Sequence, residues 1–186
     1  MRKENLLIIN ICKEKLHYYE FVKPIENILI NNHINYFVKY YKNLNKKDLN
    51  KFSKIIICGT SLLDNEFIDN KNINKFKWLL EINKPILGIC GGMEIIGKVF
   101  GRKLKRKTEI GFYKEKFYKS FLGLNERCEV YHLHNFYIDF TDLDFEVYCE
   151  NNRIIQAVKH KYKEIYGVLF HPEVRNKDLI KEFCKL

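Results

Sequence analysis

Pro85-Ile-Leu-Gly-Ile-Cys90-Gly-Gly92 is an apolar run that ends on a cysteine and two glycines, after which a periodic apolar segment resumes. That order predicts a buried strand, a very tight turn that holds the cysteine, and a helix. A second apolar strand, Gly167-Val-Leu-Phe-His171-Pro-Glu173, ends on a base and a carboxylate side by side. A nucleophile, a base and an orienting acid, all at strand ends, are the parts of a cysteine hydrolase or acyl transferase.

Working outward, Leu6 to Ile11 suits a first, central strand. A segment from Tyr19 to Asn31, with apolar Phe21, Ile25, Ile28 and Leu29, predicts an amphipathic helix. Strands are expected over 34–40, 55–58 and 86–89, with helices over 73–82 and from Gly91 to Phe100. This alternation is that of a parallel sheet covered by helices on both faces. After Gly101 strand-like stretches follow with little helix between them (114–119, 128–133, 145–149, 153–158 and 165–170), then a last helix over 176–184. The fold class expected is α/β, a flavodoxin-like three-layer sandwich whose mostly parallel sheet carries an antiparallel extension in its C-terminal half. Neither repeats nor a Pro/Gly linker divide the chain, so residues 1–186 read as a single domain.

The 186 residues include 46% hydrophobic and 15% aromatic side chains, ample for a soluble core. No run approaches the roughly 18 apolar residues of a membrane span. Met1-Arg-Lys-Glu-Asn leads straight into Leu6 with no signal-peptide pattern, so the expected location is the cytoplasm. The net charge is +10, yet the basic residues are scattered, which argues against nucleic-acid binding. The one cluster, Arg102 to Lys107, reads as a solvated strand edge protected by lysine. The six cysteines lack C-x-x-C spacing, and no H-x-x-x-H or Cys/His cluster suggests a metal, so no metal site is expected. Cys12, Cys58, Cys128 and Cys149 read as small buried hydrophobes.

At the turn, the partial positive charge of the helix N-terminus favours the Cys90 thiolate. The N–H of Gly91 is placed to meet a developing oxyanion. Pro172 fixes the backbone between His171 and Glu173, so that Glu173 can hold one imidazole nitrogen and leave the other toward Cys90. Either segment alone has a plainer reading, a buried cysteine in a βα turn or a surface turn after a strand; the two together favour the catalytic one.

These residues resemble the class I glutamine amidotransferases, the Cys-His-Glu family that hydrolyses glutamine and passes ammonia to a synthetase. The family's nucleophile motif, Gly-Ile-Cys-x-Gly-x-Gln, is similar to Gly88-Ile89-Cys90-Gly91-Gly92-Met93, and its Gly-x-Gln-Phe-His-Pro-Glu motif to Gly167 through Glu173. Within it, Gln156-Ala-Val-Lys-His160 and the following Ile165-Tyr-Gly-Val most resemble the separate glutaminase subunit of archaeal GMP synthetase. The resemblance implies Cys90 as nucleophile, His171 as the proton donor to ammonia and Glu173 as its orienting carboxylate. It implies an oxyanion hole from Gly91 and the loop beginning at Gly59 and Thr60. It also implies glutamine contacts at Glu94, His134, Asn135 and Phe136. No cofactor is expected in this chain; ATP and magnesium would belong to an ATP-pyrophosphatase partner subunit, since the chain has no P-loop.

Three positions depart from the family pattern. Gly59-Thr60-Ser61 replaces Gly-Gly-Pro, Glu94 replaces a glutamine, and Leu169 replaces another. Residues 90 and 94 are one helical turn apart and share a face. An acceptor-only carboxylate at Glu94 would favour a substrate amine over a substrate carboxylate. Two further readings therefore stand beside the amidotransferase: a stand-alone cysteine hydrolase of γ-glutamyl compounds on the same fold, and a catalytically silent regulatory relative.

Overall fold

The computed structural model describes residues 5–141 and 144–186. Met1 to Glu4, part of the segment on which the expectation of a cytoplasmic location rests, lie outside them. The strands are β1 (Leu6–Asn10), β2 (Tyr36–Tyr40), β3 (Lys54–Ile57), β4 (Ile86–Ile89), β5 (Leu104–Lys116), β6 (Arg127–Ile138), β7 (Phe145–Asn151), β8 (Ile154–His160) and β9 (Ile165–Val168). The α-helices are α1 (Lys15–His17), α2 (Lys23–Asn31), α3 (Lys46–Leu49), α4 (Asn70–Ile73), α5 (Gly91–Val99) and α6 (Lys177–Lys185).

Seven strands form one sheet in the order β2-β1-β3-β4-β9-β8-β7, and β5 and β6 form a separate two-stranded ribbon. The pairs β1–β2, β1–β3, β3–β4 and β4–β9 are parallel, while β8 pairs antiparallel with β9 and with β7. β1, β3, β4 and β9 are almost wholly buried, as strands covered on both faces must be, which explains their continuous Leu/Ile/Val runs. Right-handed crossovers put helices on opposite faces when strand order moves in opposite directions from β1. Thus α2, on the way to β2, packs against α6, whereas α5, on the way to β9, packs over β3, β4 and β9. The result is the expected flavodoxin-like sandwich with its antiparallel extension.

Three elements differ from the sequence expectation. The first helix begins early and passes through a π turn, Tyr18–Val22, before α2. Pro24 lacks an N–H and its ring would crowd the Glu20 carbonyl in a regular helix, so the wider turn relieves the clash. The helix expected over 73–82 is a short α4 that tightens into a 3-10 helix, Asn74–Leu80. Residues 114–116 of the stretch expected over 114–119, and all of 128–133, belong to the much longer ribbon strands β5 and β6, which pair antiparallel and bulge between Arg106 and Glu109; 117–119 lie beyond the end of β5. Residues 103 and 105–107 of the basic cluster are exposed along this ribbon, and Lys105 pairs with Asp139. Cys12, Cys58 and Cys149 are buried as expected, but Cys128 is only half-buried.

No helix among the described residues is long and apolar enough to cross a membrane.

Candidate active site

Cys90 sits between β4 and α5 with φ 47° and ψ −106°. A non-glycine residue held at positive φ is strained, and such strain persists only where the surroundings enforce it. Here they do. The Cys90 N–H donates to the Val168 carbonyl at 2.7 Å, tying the turn to β9. At the other side, a side chain on Gly92 would come within 2.4 Å of the Ile57 carbonyl oxygen, so only glycine lets α5 start this close to β3.

Because β4 and β9 are paired, with Ile89 opposite Val168, the ends of the two quoted segments emerge side by side. His171 Nδ1 and Glu173 Oε1 are 2.7 Å apart, and both residues are buried. Burial disfavours an imidazolium at this depth, but the charges of Glu173 and Cys90 outweigh it and hold His171 well above the usual imidazole range. Burial pushes the Cys90 thiol up, against the opposing pull of His171. The thiol donates to the Leu133 carbonyl at 3.6 Å, and His171 Nε2 is buried without a hydrogen-bond partner.

Gly59 follows β3 and fits between these two groups. A Cβ on it would lie 2.5 Å from His171 Cε1 and 3.3 Å from Cys90 Cβ. The reason for glycine here is space rather than a special φ. The Thr60 hydroxyl donates to Asp64 Oδ2 at 2.9 Å, and the same oxygen accepts from the Lys13 N–H at 2.6 Å. The departure from the family loop is thus matched by a carboxylate that braces it, a partner the sequence reading did not single out.

The cavity beside Cys90 is lined by Thr60, Gly91, Glu94, His134, Asn135 and Phe136, among others, so every oxyanion and substrate candidate except Gly59 borders it. Its volume is about 10 Å³, room for about one water molecule. Asn135 spans its edge, donating from Nδ2 to the Leu62 carbonyl at 3.1 Å and accepting from the Thr108 hydroxyl at 2.8 Å. Its amide is therefore committed to a bridge between ribbon and loop. His134 turns its Nε2 to Glu109 at 3.1 Å. Glu94 differs in charge from the expectation. Burial pushes its carboxyl up to about 8, only partly opposed by His171, so near neutral pH it is a neutral acid with a donor as well as an acceptor. The acceptor-only reading does not hold.

The ribbon also assembles what linear spacing concealed. Glu109, His132 and His134 are buried together, with one ligand-capable atom from each within 4.8 Å of the others. Glu109 and His134 are register partners across β5 and β6, a relation visible only once the pairing is known.

The class I glutamine amidotransferase family model matches residues 17–185. The chain belongs to this family. It is 33% identical over 144 residues to a subunit of the glutamine-hydrolyzing GMP synthase of Pyrococcus abyssi, an alignment covering 72% of this chain and 75% of that protein. It is also 33% identical over 112 residues to the like-named protein of Methanococcus aeolicus, covering 55% of this chain and 60% of the relative. A solved structure from Thermoplasma acidophilum, assigned as a GMP synthase subunit, superposes with a TM-score of 0.85 at 20% identity, covering 100% of this chain and 94% of that one. A glutamine amidotransferase from Thermotoga maritima superposes at 0.72, again at 20% identity, over 100% and 82% of the two chains. At such identities the structures speak for the fold. The resemblance to the amidotransferases drawn from the two motifs is borne out.

Proposed function

We propose that this amidotransferase hydrolyses the side-chain amide of glutamine at Cys90, His171 and Glu173, and that its ammonia passes to a separate ATP-dependent synthetase subunit of the GMP-forming kind. The observation that carries the reading is the β4–β9 pairing, which sets a strained cysteine beside a buried His–Glu pair. The names of the relatives support the choice of partner.

At Cys90 burial favours the neutral thiol, while the N-terminus of α5 and His171 favour the thiolate. The pair shares one proton: when Cys90 is the thiolate it resides on His171 Nε2, the nitrogen that Glu173 leaves free, where the charges of Cys90 and Glu173 hold it. The thiolate attacks the amide carbon, and the N–H groups of Gly91 and of the Gly59-Thr60 loop receive the oxyanion. His171 returns the proton to the leaving nitrogen, the C–N bond breaks, and ammonia departs from a γ-glutamyl thioester. Water then adds, giving its proton to His171, and glutamate leaves as the C–S bond breaks and the thiol is restored. Glu94, Phe136 and the backbone of Leu133 to Asn135 form the wall against which glutamine binds once the cavity opens. None of these steps uses a cofactor in this chain; ATP and magnesium act on the synthetase. We read the chain as one catalytic domain working in the cytoplasm.

Ammonia release from L-glutamine is the test, with and without a GMP synthetase ATP-pyrophosphatase subunit, and with Cys90→Ala as control. Release that needs Cys90 and rises with the subunit supports the proposal. Release from γ-glutamyl compounds alone, indifferent to the subunit, would replace it with the stand-alone hydrolase.

A further inference from the structure

We propose that the face of the β5–β6 ribbon turned toward the sheet holds a structural divalent metal site for a Zn²⁺-class ion, built from His132, His134 and Glu109. His132 and His134 alternate with Leu133 on β6 and so project from the same face of the strand. Glu109 faces His134 across the ribbon. All three are buried, His132 fully.

Each imidazole already has a carboxylate on one nitrogen. His132 Nε2 lies 3.2 Å from Glu115 Oε1, and His134 Nε2 lies 3.1 Å from Glu109 Oε2. With these nitrogens donating, the Nδ1 of both rings carries a lone pair, and both Nδ1 atoms are buried with no hydrogen-bond partner. Two buried ring nitrogens without a partner are costly. His132, with its second nitrogen held by Glu115, has the usual form of a metal-bound imidazole; Glu109 would exchange its contact with His134 Nε2 for the ion. The carboxylates are themselves braced from the sheet. Gln156 Nε2 donates to Glu109 Oε2 at 2.9 Å, and Asn151 Nδ2 to Glu115 Oε1 at 3.3 Å, so the cluster joins the ribbon to β7 and β8. Gln156 Oε1 is likewise buried without a hydrogen-bond partner.

A tetrahedral zinc site spaces its ligand atoms at roughly 3.3 Å. The three residues offer ligand atoms within 4.8 Å of one another, so binding an ion would draw them closer. The ion would pin the strand whose Leu133 carbonyl receives the Cys90 thiol, fixing one wall of the active site.

The Cys90–His171 pair is itself a metal-binding hazard, so the test uses full-length protein with Cys90→Ser. After treatment with chelator and dialysis, Zn²⁺ binding is measured by isothermal titration and elemental analysis, and thermal melting is followed with and without Zn²⁺. The expected result is stoichiometric binding and a rise in Tm of several degrees. Glu109→Gln, which keeps the hydrogen bond to His134 but not the charge, and His134→Ala should each weaken binding by at least tenfold. Co²⁺ gives a readout independent of these variants: visible bands of nitrogen and oxygen ligation without a thiolate charge-transfer band. Absence of stoichiometric binding, a thiolate band, or full affinity in a folded Glu109→Gln protein would overturn the site and leave the cluster as a hydrogen-bonded network around a buried water.

Discussion

The Glu94 N–H donates to the Cys90 carbonyl at 3.0 Å, so the two side chains leave α5 one turn apart and on the same side. Both border the same cavity, and both are driven toward their neutral forms by burial. The family glutamine at this position offers a donor and an acceptor, and protonated Glu94 does the same.

A pH-dependent stability follows from this. A carboxyl whose folded pKa exceeds its unfolded value binds its proton more tightly in the folded state. Stability therefore falls as pH climbs from the ordinary carboxylate range to about 8, and the loss levels off above it. Glu94→Gln removes the loss without removing the donor. The variant is expected to melt close to the parent at pH 5 and several degrees above it at pH 9, with glutaminase activity at pH 7 within an order of magnitude of the parent. A constant difference in Tm across that range would show that Glu94 titrates normally.

Gly59→Ala tests the packing around His171. The added methyl would meet His171 Cε1 at 2.5 Å, far inside contact distance, and the imidazole is the group able to yield. A displacement of about 1 Å in a catalytic group costs on the order of 100-fold in rate. The expected outcome is a fall in kcat of about that size with KM and far-ultraviolet circular dichroism little changed. Unaltered kcat would mean that His171 need not occupy its observed position.

Asn135 spans the edge of the small cavity beside Cys90, and substrate entry is expected to open its Leu62 contact. Asn135→Ala removes both of its side-chain hydrogen bonds. Alkylation of Cys90 by iodoacetamide is expected to speed up several-fold in the variant without a synthetase subunit, and the subunit should then accelerate glutamine hydrolysis less than in the parent. An unchanged alkylation rate would place the entrance elsewhere.

The strand ends that carry Cys90, His171 and Glu173 were legible because their signals are local. Cys90 between Ile89 and two glycines, and His171 followed by Pro172, state a turn within a few residues. The parallel half of the sheet was legible for a similar reason, since its strands are buried on both faces and read as unbroken apolar runs. The ribbon was not. The burial of Glu109, Glu115, His132 and His134 comes from pairing between strands distant in sequence, and polar residues in an alternating pattern predict an exposed face rather than a dry one. Glu94 was visible as a departure from the motif, but its charge state depends on burial, which a sequence does not display.

Glu173 accepts from His171 at one oxygen only; its Oε2 is buried with no partner. Its role is thus concentrated in one 2.7 Å contact, which fixes the imidazole tautomer and favours the protonated ring. Glu173→Gln keeps the volume but removes the charge, and its amide can present a donor where Nδ1 needs an acceptor. With less negative charge nearby, His171 gives up its proton more readily, so its pKa falls. Kinetically, kcat is expected to drop by about 10²–10⁴-fold, the scale on which oriented acid–base groups act. The limb of the kcat/KM profile that reports His171 should also shift to lower pH. Rate measurements across pH on parent and variant separate the two effects: a drop in kcat without a shift would assign Glu173 to orientation alone, and a shift without a drop would show that orientation comes from Pro172 and the strand end instead.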